Sequence, residues 1–411
     1  MDILGIAGGI GVLVVGGVLA VFALWRGAAA PTQPSRTHAG PPAARSELRP
    51  ASPAPAPEPG GAAAATASGA SRLPQPPLST WLDTAERPAE LAAWQPATPA
   101  DLTPQQLQGI VATFRNVPRP PRLLSRLVAM DLLNAPSSAE LVGLITGELL
   151  IAAKVLAAVN APAYGLPQPV AGVGQAVTYL GLNRVRAICM HYALQQAFQA
   201  DSPERAERLK ALWHASALAG ELSQQTPQRV SLADPGELTS AVLLSFLGNL
   251  AVTVAAPRPM LGRIPARSHF IRSRAEQALL GLSAGEIGRL LMRQWELPAP
   301  VIDAVAAIEQ RLHTAHSPQG DEATLREAFG YLCARLGERL VWGELESLAA
   351  FDLAHDTDPE LALVRPLAQD ARFAALLGQL RAPQTVARID TLLRERRVLP
   401  GAARRALPAL G

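Results

Sequence analysis

Residues 139–160 read AELVGLITGELLIAAKVLAAVN. Leu141, Leu144, Ile145, Leu149, Ala152, Val155, Leu156 and Val159 recur at spacings of three and four. That is the pattern of one amphipathic helix or of two in tandem. Ser137 and Ser138 precede the run as N-cap candidates, with Pro136 just outside it. The following stretch ends it: Pro162 and Gly165 break the helix, and Pro167 and Pro169 keep the chain extended. A new helix starts near Val173. Gly181 marks a turn, and Asn183 is placed to cap the helix after it. From Pro104 onward the same periodicity recurs, and no run of period two flanked by turns is found. The expected fold class is all-α, a multi-helix bundle.

Composition agrees with this. The chain has 411 residues, of which 49% are hydrophobic and 4% aromatic, so the core is built from Leu, Ala and Val, residues suited to closely packed helices. A net charge of +3 argues against a dedicated nucleic-acid binder, and no nucleic-acid partner is expected. The two cysteines, Cys189 and Cys333, both sit in apolar helical patterns. They read as small buried hydrophobes, not as a disulfide framework or a zinc site.

The N-terminal region is different. Ile3 to Trp25 carries no charge, which is the length and composition of a transmembrane helix. A cleaved signal peptide, with residues 28–30 as the site, would need a basic segment before the apolar run, and only Asp2 stands there. Arg26, Arg36, Arg45 and Arg49 all follow the span, so the positive-inside rule puts the C-terminal bulk in the cytoplasm, on a single-pass anchor in the inner (cytoplasmic) membrane. Gly5 and Gly9, with Gly16 and Ala20, form small-residue pairs that would permit a homodimer through the span; a plain anchor in a glycine-rich span has the same pattern. Residues 26–80 form a Pro/Ala-rich linker too poor in large apolar residues to fold, long enough to hold a domain roughly 40 to 100 Å from the bilayer. Trp81 to Trp94 is a candidate short helix that docks on the domain.

Toward the other end, Leu325, Phe329, Leu332, Leu336 and Leu340 form one stripe between Glu322 and Arg339, with Asp321 as N-cap. Leu376, Leu377, Leu380, Val386, Ile389, Leu392 and Leu393 form another between Arg372 and Arg397, where Pro383 starts the last helix. These helices either complete the bundle or make a small accessory domain. Residues 401–411 read as a disordered tail.

The run from Leu144 to Ile188 resembles the core of the HDOD family (the HD-related output domain). That family carries the patterns "I..dp.La..lLrl.NSa.yg" and "v.si..Ai..LGl..vr.l". Here Ile145, Leu149, Ile151, Lys154, Val155, Leu156, Asn160, Tyr164 and Gly165 match the first, and Val173, Ala176, Leu180, Gly181, Leu182, Arg184, Val185 and Arg186 the second. The family's Asp-Pro is replaced by Gly147-Glu148-Leu149. The resemblance continues more weakly to about Glu309. It implies an all-α bundle related to HD phosphohydrolases, used as a non-enzymatic signalling or regulatory module.

The resemblance also implies where a metal would be held. An HD-type site needs imidazole and carboxylate ligands around a divalent ion. The family's W-x-H-S is Trp213-His214-Ala215-Ser216, so Ala215 takes the histidine position; His214 comes one residue early, about 100° round a helix. The L-L-H-D pattern is Leu243-Leu244-Ser245-Phe246. Ala284 replaces the histidine of G-x-x-H, and Ile308 and Glu309 replace the final pair. The scaffold between them is kept, as in Trp295-Glu296-Leu297-Pro298. No catalytic, cofactor-binding or metal-ligating residue is therefore assigned, and no cofactor is expected. His313 and His316 read as a solvated helix end, and His191 and His269 as isolated. Arg258, Arg263, Arg267, Arg272 and Arg274 form an acid-free run that reads as a basic solvated loop, or else as a site for phosphate or anionic lipid.

The plan is a transmembrane helix over 3–25, a disordered linker over 26–80, an HDOD-like domain over 100–312 and C-terminal helices over 320–399. The expected function is a non-catalytic, membrane-tethered signalling or scaffold module that binds a protein partner. The alternative is a sensor for a small ligand or nucleotide, using a cavity lined by Ala215, Ser245, Phe246, Ala284 and Ile308. A reporter fused after Gly411 is expected to behave as cytoplasmic; periplasmic activity, or a mature protein beginning near Pro31, would overturn the anchor reading.

Overall fold

The computed structural model describes residues 94–130, 137–225, 235–266, 268–313 and 320–396. The expected span, the linker, Trp81, His316, Arg267 and the tail lie outside these residues. Among the described residues sixteen α-helices and five short 3-10 turns follow one another, and there is no strand. The helices are α1 (Pro104–Phe114), α2 (Arg122–Ala129), α3 (Ser138–Thr146), α4 (Leu149–Val159), α5 (Val173–Leu180), α6 (Leu182–Ala197), α7 (Pro203–Ser223) and α8 (Pro235–Ser245). They continue with α9 (Leu247–Ala255), α10 (Arg258–Leu261), α11 (His269–Leu280), α12 (Ala284–Gln294), α13 (Ala299–Gln310), α14 (Glu322–Trp342), α15 (Ala371–Leu380) and α16 (Pro383–Arg396).

The opening stretch is two helices, not one. Ser137 caps α3, its hydroxyl accepting from the Glu140 amide at 3.4 Å. Gly147 ends α3, and α4 leaves at 117° to it. The bend resets the helical phase. On α3, Leu141, Leu144 and Ile145 are buried; on α4, Ile151, Val155 and Val159 are, one turn apart. Leu149 belongs to the continuous stripe in the sequence, yet it sits at the elbow with 82% of its surface exposed, beside Leu150 at 72%.

The corner between α5 and α6 is a single residue. Gly181 is at once the end of α5 and the N-cap of α6, at φ +82°, a backbone region that side-chain-bearing residues avoid. Asn183 therefore falls inside the first turn of α6 and does not cap it. Leu180 and Leu182 flank this corner, and Leu156 lies on the outer side of α4. The sequence pattern makes all three core residues; the structure leaves them partly buried, packed against the core from its edge.

The C-terminal helices complete the bundle. All five stripe residues of α14 are buried, and Asp321 caps it as expected, accepting from the Thr324 amide at 2.8 Å. Helix α14 runs along α7 and also touches α8 and α13. The approach to α7 is backbone to backbone: a Cβ at Gly337 would lie 2.5 Å from the Ala215 carbonyl oxygen. At a second such crossing a Cβ at Gly248 on α9 would overlap the carbonyl of Ala284 on α12. Residues 236–255 are long and apolar enough to cross a membrane, but 89% of that stretch is buried inside the protein, as expected of core helices. Leu180→Ala should cost about 1 kcal/mol, below the 2 to 5 kcal/mol of a fully buried leucine, whereas Gly248→Ala should cost about 3 kcal/mol or more, because the obstructing atoms are backbone. Denaturant unfolding of the two variants checks the order.

Candidate functional site

The residues at the family's ligand positions all lie in the core, on α7, α8, the α8–α9 joint, α12 and α13. Ala215, Ser245, Phe246, Ala284 and Ile308 are each 4% exposed or less. Ala215, Phe246, Ala284 and Ile308 carry no lone pair for a metal. The Ser245 hydroxyl donates back to the Val242 carbonyl at 2.8 Å, an intrahelical bond. Gly337 presses on the Ala215 carbonyl, and a Cβ at Gly330 would meet Ile308 Cδ1 at 2.9 Å, so α14 lies across the helices that carry these positions. The residues present do not fit the family's metal. Close packing takes the place of the donor set.

Glu309, the last of the replaced positions, is turned to a different task. Its Oε2 lies 3.2 Å from Nε2 of His269 on α11. The other ring nitrogen, Nδ1, is 3.2 Å from Nη2 of Arg272. A guanidinium can only donate, so Nδ1 accepts and Nε2–H is directed at Glu309. Arg272 Nη2 also bonds Glu338 Oε1 at 2.9 Å, and Arg335 Nη1 bonds Glu338 Oε2 at 2.6 Å. Arg272 Nη1 donates to the Ala266 carbonyl at 2.9 Å. Arg335 lies over the Tyr331 ring, and the Tyr331 hydroxyl donates to the Glu360 carbonyl at 3.3 Å. Glu360 in turn accepts from the Phe270 amide at 2.8 Å and the Ser268 hydroxyl at 2.6 Å. A buried chain of charges thus ties α11 to α13 and α14.

Charge balance within the cluster sets how its acids behave. Burial pushes the Glu338 carboxyl up, but Arg272 and Arg335 outweigh it and hold the group below its ordinary value. Glu309 follows the same course: burial raises it, and contact with His269 and the guanidiniums of Arg335 and Arg272 pull it down. Glu276 is the exception. Burial dominates there, and despite Arg272 it is pushed up to about 7. Its Oε2 accepts from the Ala284 amide at 2.7 Å, at the first turn of α12.

The matched motif residues are structural. Asn160 Nδ2 donates to the carbonyls of Leu156 and Val170, both at 2.9 Å, and its Oδ1 accepts from the Val170 amide at 2.7 Å, so one side chain closes the Pro/Gly turn after α4. The Tyr164 hydroxyl donates to Glu221 Oε1 at 2.7 Å, and Arg184 Nε is 3.4 Å from Glu221 Oε2. The two cysteines are buried thiols, both pushed well above the ordinary range by burial.

Several expectations change. His269 is not isolated, and neither is His191, whose ring packs edge-on against Trp213 and Tyr192. His313 is not at a solvated end: it is partly buried, its ring 5.9 Å from that of Trp94. Trp94 also meets Phe270 at 5.6 Å, so this tryptophan does dock on the domain, in non-helical backbone. The arginine run is not one loop. Arg258 opens α10 and faces Asp201 at 3.7 Å, Arg263 is exposed, Arg274 stacks on Phe270, and Arg272 is among the most deeply buried side chains. The sequence did hold a signal for the cluster: Arg335 falls three residues after Leu332, on the apolar face of α14, where a charge requires a partner.

Replacing Glu338 by Gln removes the carboxylate shared by two buried guanidiniums and should cost about 3 to 5 kcal/mol. Ser245→Ala removes only an intrahelical bond and should cost under about 1 kcal/mol. Chemical denaturation of both variants measures the difference.

Comparison with known proteins follows this geometry. The HDOD domain model matches residues 117–311. An uncharacterized protein of Treponema pallidum (strain Nichols) is 23% identical over 168 residues, 40% of this chain and 32% of that protein, so the match spans about a third of the relative's length. An HDOD domain protein of Geobacter sulfurreducens superposes with a TM-score of 0.51 at 17% identity, over 70% of this chain and 99% of that one. A protein of Marinobacter aquaeolei VT8, provisionally called a signal transduction protein, gives a TM-score of 0.46 at 22% identity, over 71% and 64% of the two chains. Residues 117–311 of this chain match the HDOD domain, on a fold that is all-helical among the described residues and similar to that of a solved HDOD domain protein.

Proposed function

We propose that this chain is a non-catalytic, membrane-tethered HDOD signalling or scaffold module that works by binding a protein partner. The observation that carries the reading is that most of the family's ligand positions hold buried carbon side chains, with α14 pressed against Ala215 and Ile308. Phosphoester hydrolysis of the HD type needs a metal-activated water; Ala215, Phe246, Ala284 and Ile308 have no donor atom for its metal, and Ser245 and Glu309 are engaged with Val242 and His269. The same packing argues against the sensor alternative, which needs an open polar cavity at Ala215, Ser245, Phe246, Ala284 and Ile308. The large apolar side chains exposed at the α3–α4 elbow are in keeping with a protein that acts by surface contact. The tether rests on the uncharged run from Ile3 to Trp25 and the arginines after it.

The purified full-length protein is expected to carry no stoichiometric transition metal by elemental analysis and to leave phosphodiesters intact. One tightly bound metal per chain, or hydrolysis that survives in Ser245→Ala but requires added metal, would overturn the non-catalytic reading. Crosslinking in intact membranes followed by mass spectrometry should recover the same partner with wild type and Ser245→Ala; loss of it in Ser245→Ala at unchanged thermal midpoint would return the closed site to consideration as a ligand pocket.

A further inference from the structure

Glu276 occupies an unusual place. It lies on α11 with 1% of its surface exposed. One oxygen caps the first turn of α12 through the Ala284 amide, at 2.7 Å. Among the described residues nothing hydrogen-bonds the other, Oε1, which is fully buried. A buried carboxylate with an unpartnered oxygen is costly, and the ordinary remedy is to hold a proton.

Its neighbours make that proton matter. From its own helix Arg272 faces it; from α7 comes Arg208, which also donates to the Ile264 carbonyl at 3.0 Å; from α13 comes Glu309. Through Arg272 it reaches Glu338 and Arg335 on α14. The guanidiniums of Arg272 and Arg335 already face the carboxylates of Glu309 and Glu338, with Glu360 beyond Tyr331. An ionised Glu276 adds a further carboxylate, which the partly buried Arg208 helps to offset.

We propose that Glu276 is a proton-operated latch at the α11–α12 joint. Neutral, it caps α12 and leaves the Arg272–Glu338 bond to seat α14 across the closed site. Ionised, it repels Glu309 and competes with Glu338 for Arg272, loosening that seat. The direction of the pH effect follows from linkage. Burial raises the folded-state value from 4.5 to about 7, so the extra stability is fully present below 4.5 and is lost as pH rises through about 7.

The test uses the full-length chain, wild type and Glu276→Gln, which keeps the acceptor for the Ala284 amide and cannot ionise. Infrared spectra should show a protonated-acid carbonyl band in the wild type that is absent from Glu276→Gln and is half lost near pH 7, not near 4.5. Amide exchange at residues 282–286 and around Glu338, corrected for intrinsic rates, should be faster at about pH 8.5 than at about pH 5.5 in the wild type and flat in Glu276→Gln. Absence of the band, or the wild-type pH dependence persisting in Glu276→Gln, would overturn the latch. Should Glu276→Gln fail to fold, Arg208→Gln provides the second reading: losing that cation should move the band's midpoint to higher pH, and an unmoved midpoint counts against the proposal.

Discussion

Arg272 reaches across the interior from α11 to Glu338 on α14 at 2.9 Å, and Glu338 is shared with Arg335 at 2.6 Å. A buried pair of this kind gains little over well-packed carbon, because each charge has been stripped of water. What it does impose is position. Neither guanidinium can be left alone in the core, so α14 has one seat on the bundle, and the rest of the architecture is arranged to allow it. Gly337 lets the α14 backbone touch that of α7, and the same helix then covers Ala215 and Ile308.

The same helix bears on the positions where the family resemblance implies metal ligands. There this chain has alanine, phenylalanine and isoleucine, which fill space and need no hydrogen bond, and Ser245, whose hydroxyl is satisfied within its own helix. The one acid among the replacements, Glu309, is drawn into the ion cluster through His269. The buried polar groups gather at the α11–α14 contact, where they hold helices together.

The resemblance to the HDOD family was carried by residues whose work is structural. Asn160 closes a turn, Gly181 makes a corner at positive φ, and Tyr164 and Arg184 both engage Glu221. Each of these needs a particular residue type at one place in the chain, which is why they were visible without coordinates. They specify the scaffold and say nothing of the chemistry on it.

The sequence by itself determined the helical class, the caps at Ser137 and Asp321 and the buried stripe of α14, because each depends on neighbours within a turn or two. It misplaced Leu149, since a break at Gly147 resets the phase that periodicity assumes to be continuous. It took Leu180 and Leu182 for core because burial at a corner depends on what packs over it. Only the tertiary structure decided that His269, Arg272, Glu276, Glu309, Arg335 and Glu338 belong together. They come from three helices spread over about seventy residues, and a buried charge reveals its partner only once the chain has brought the two within a hydrogen bond of each other.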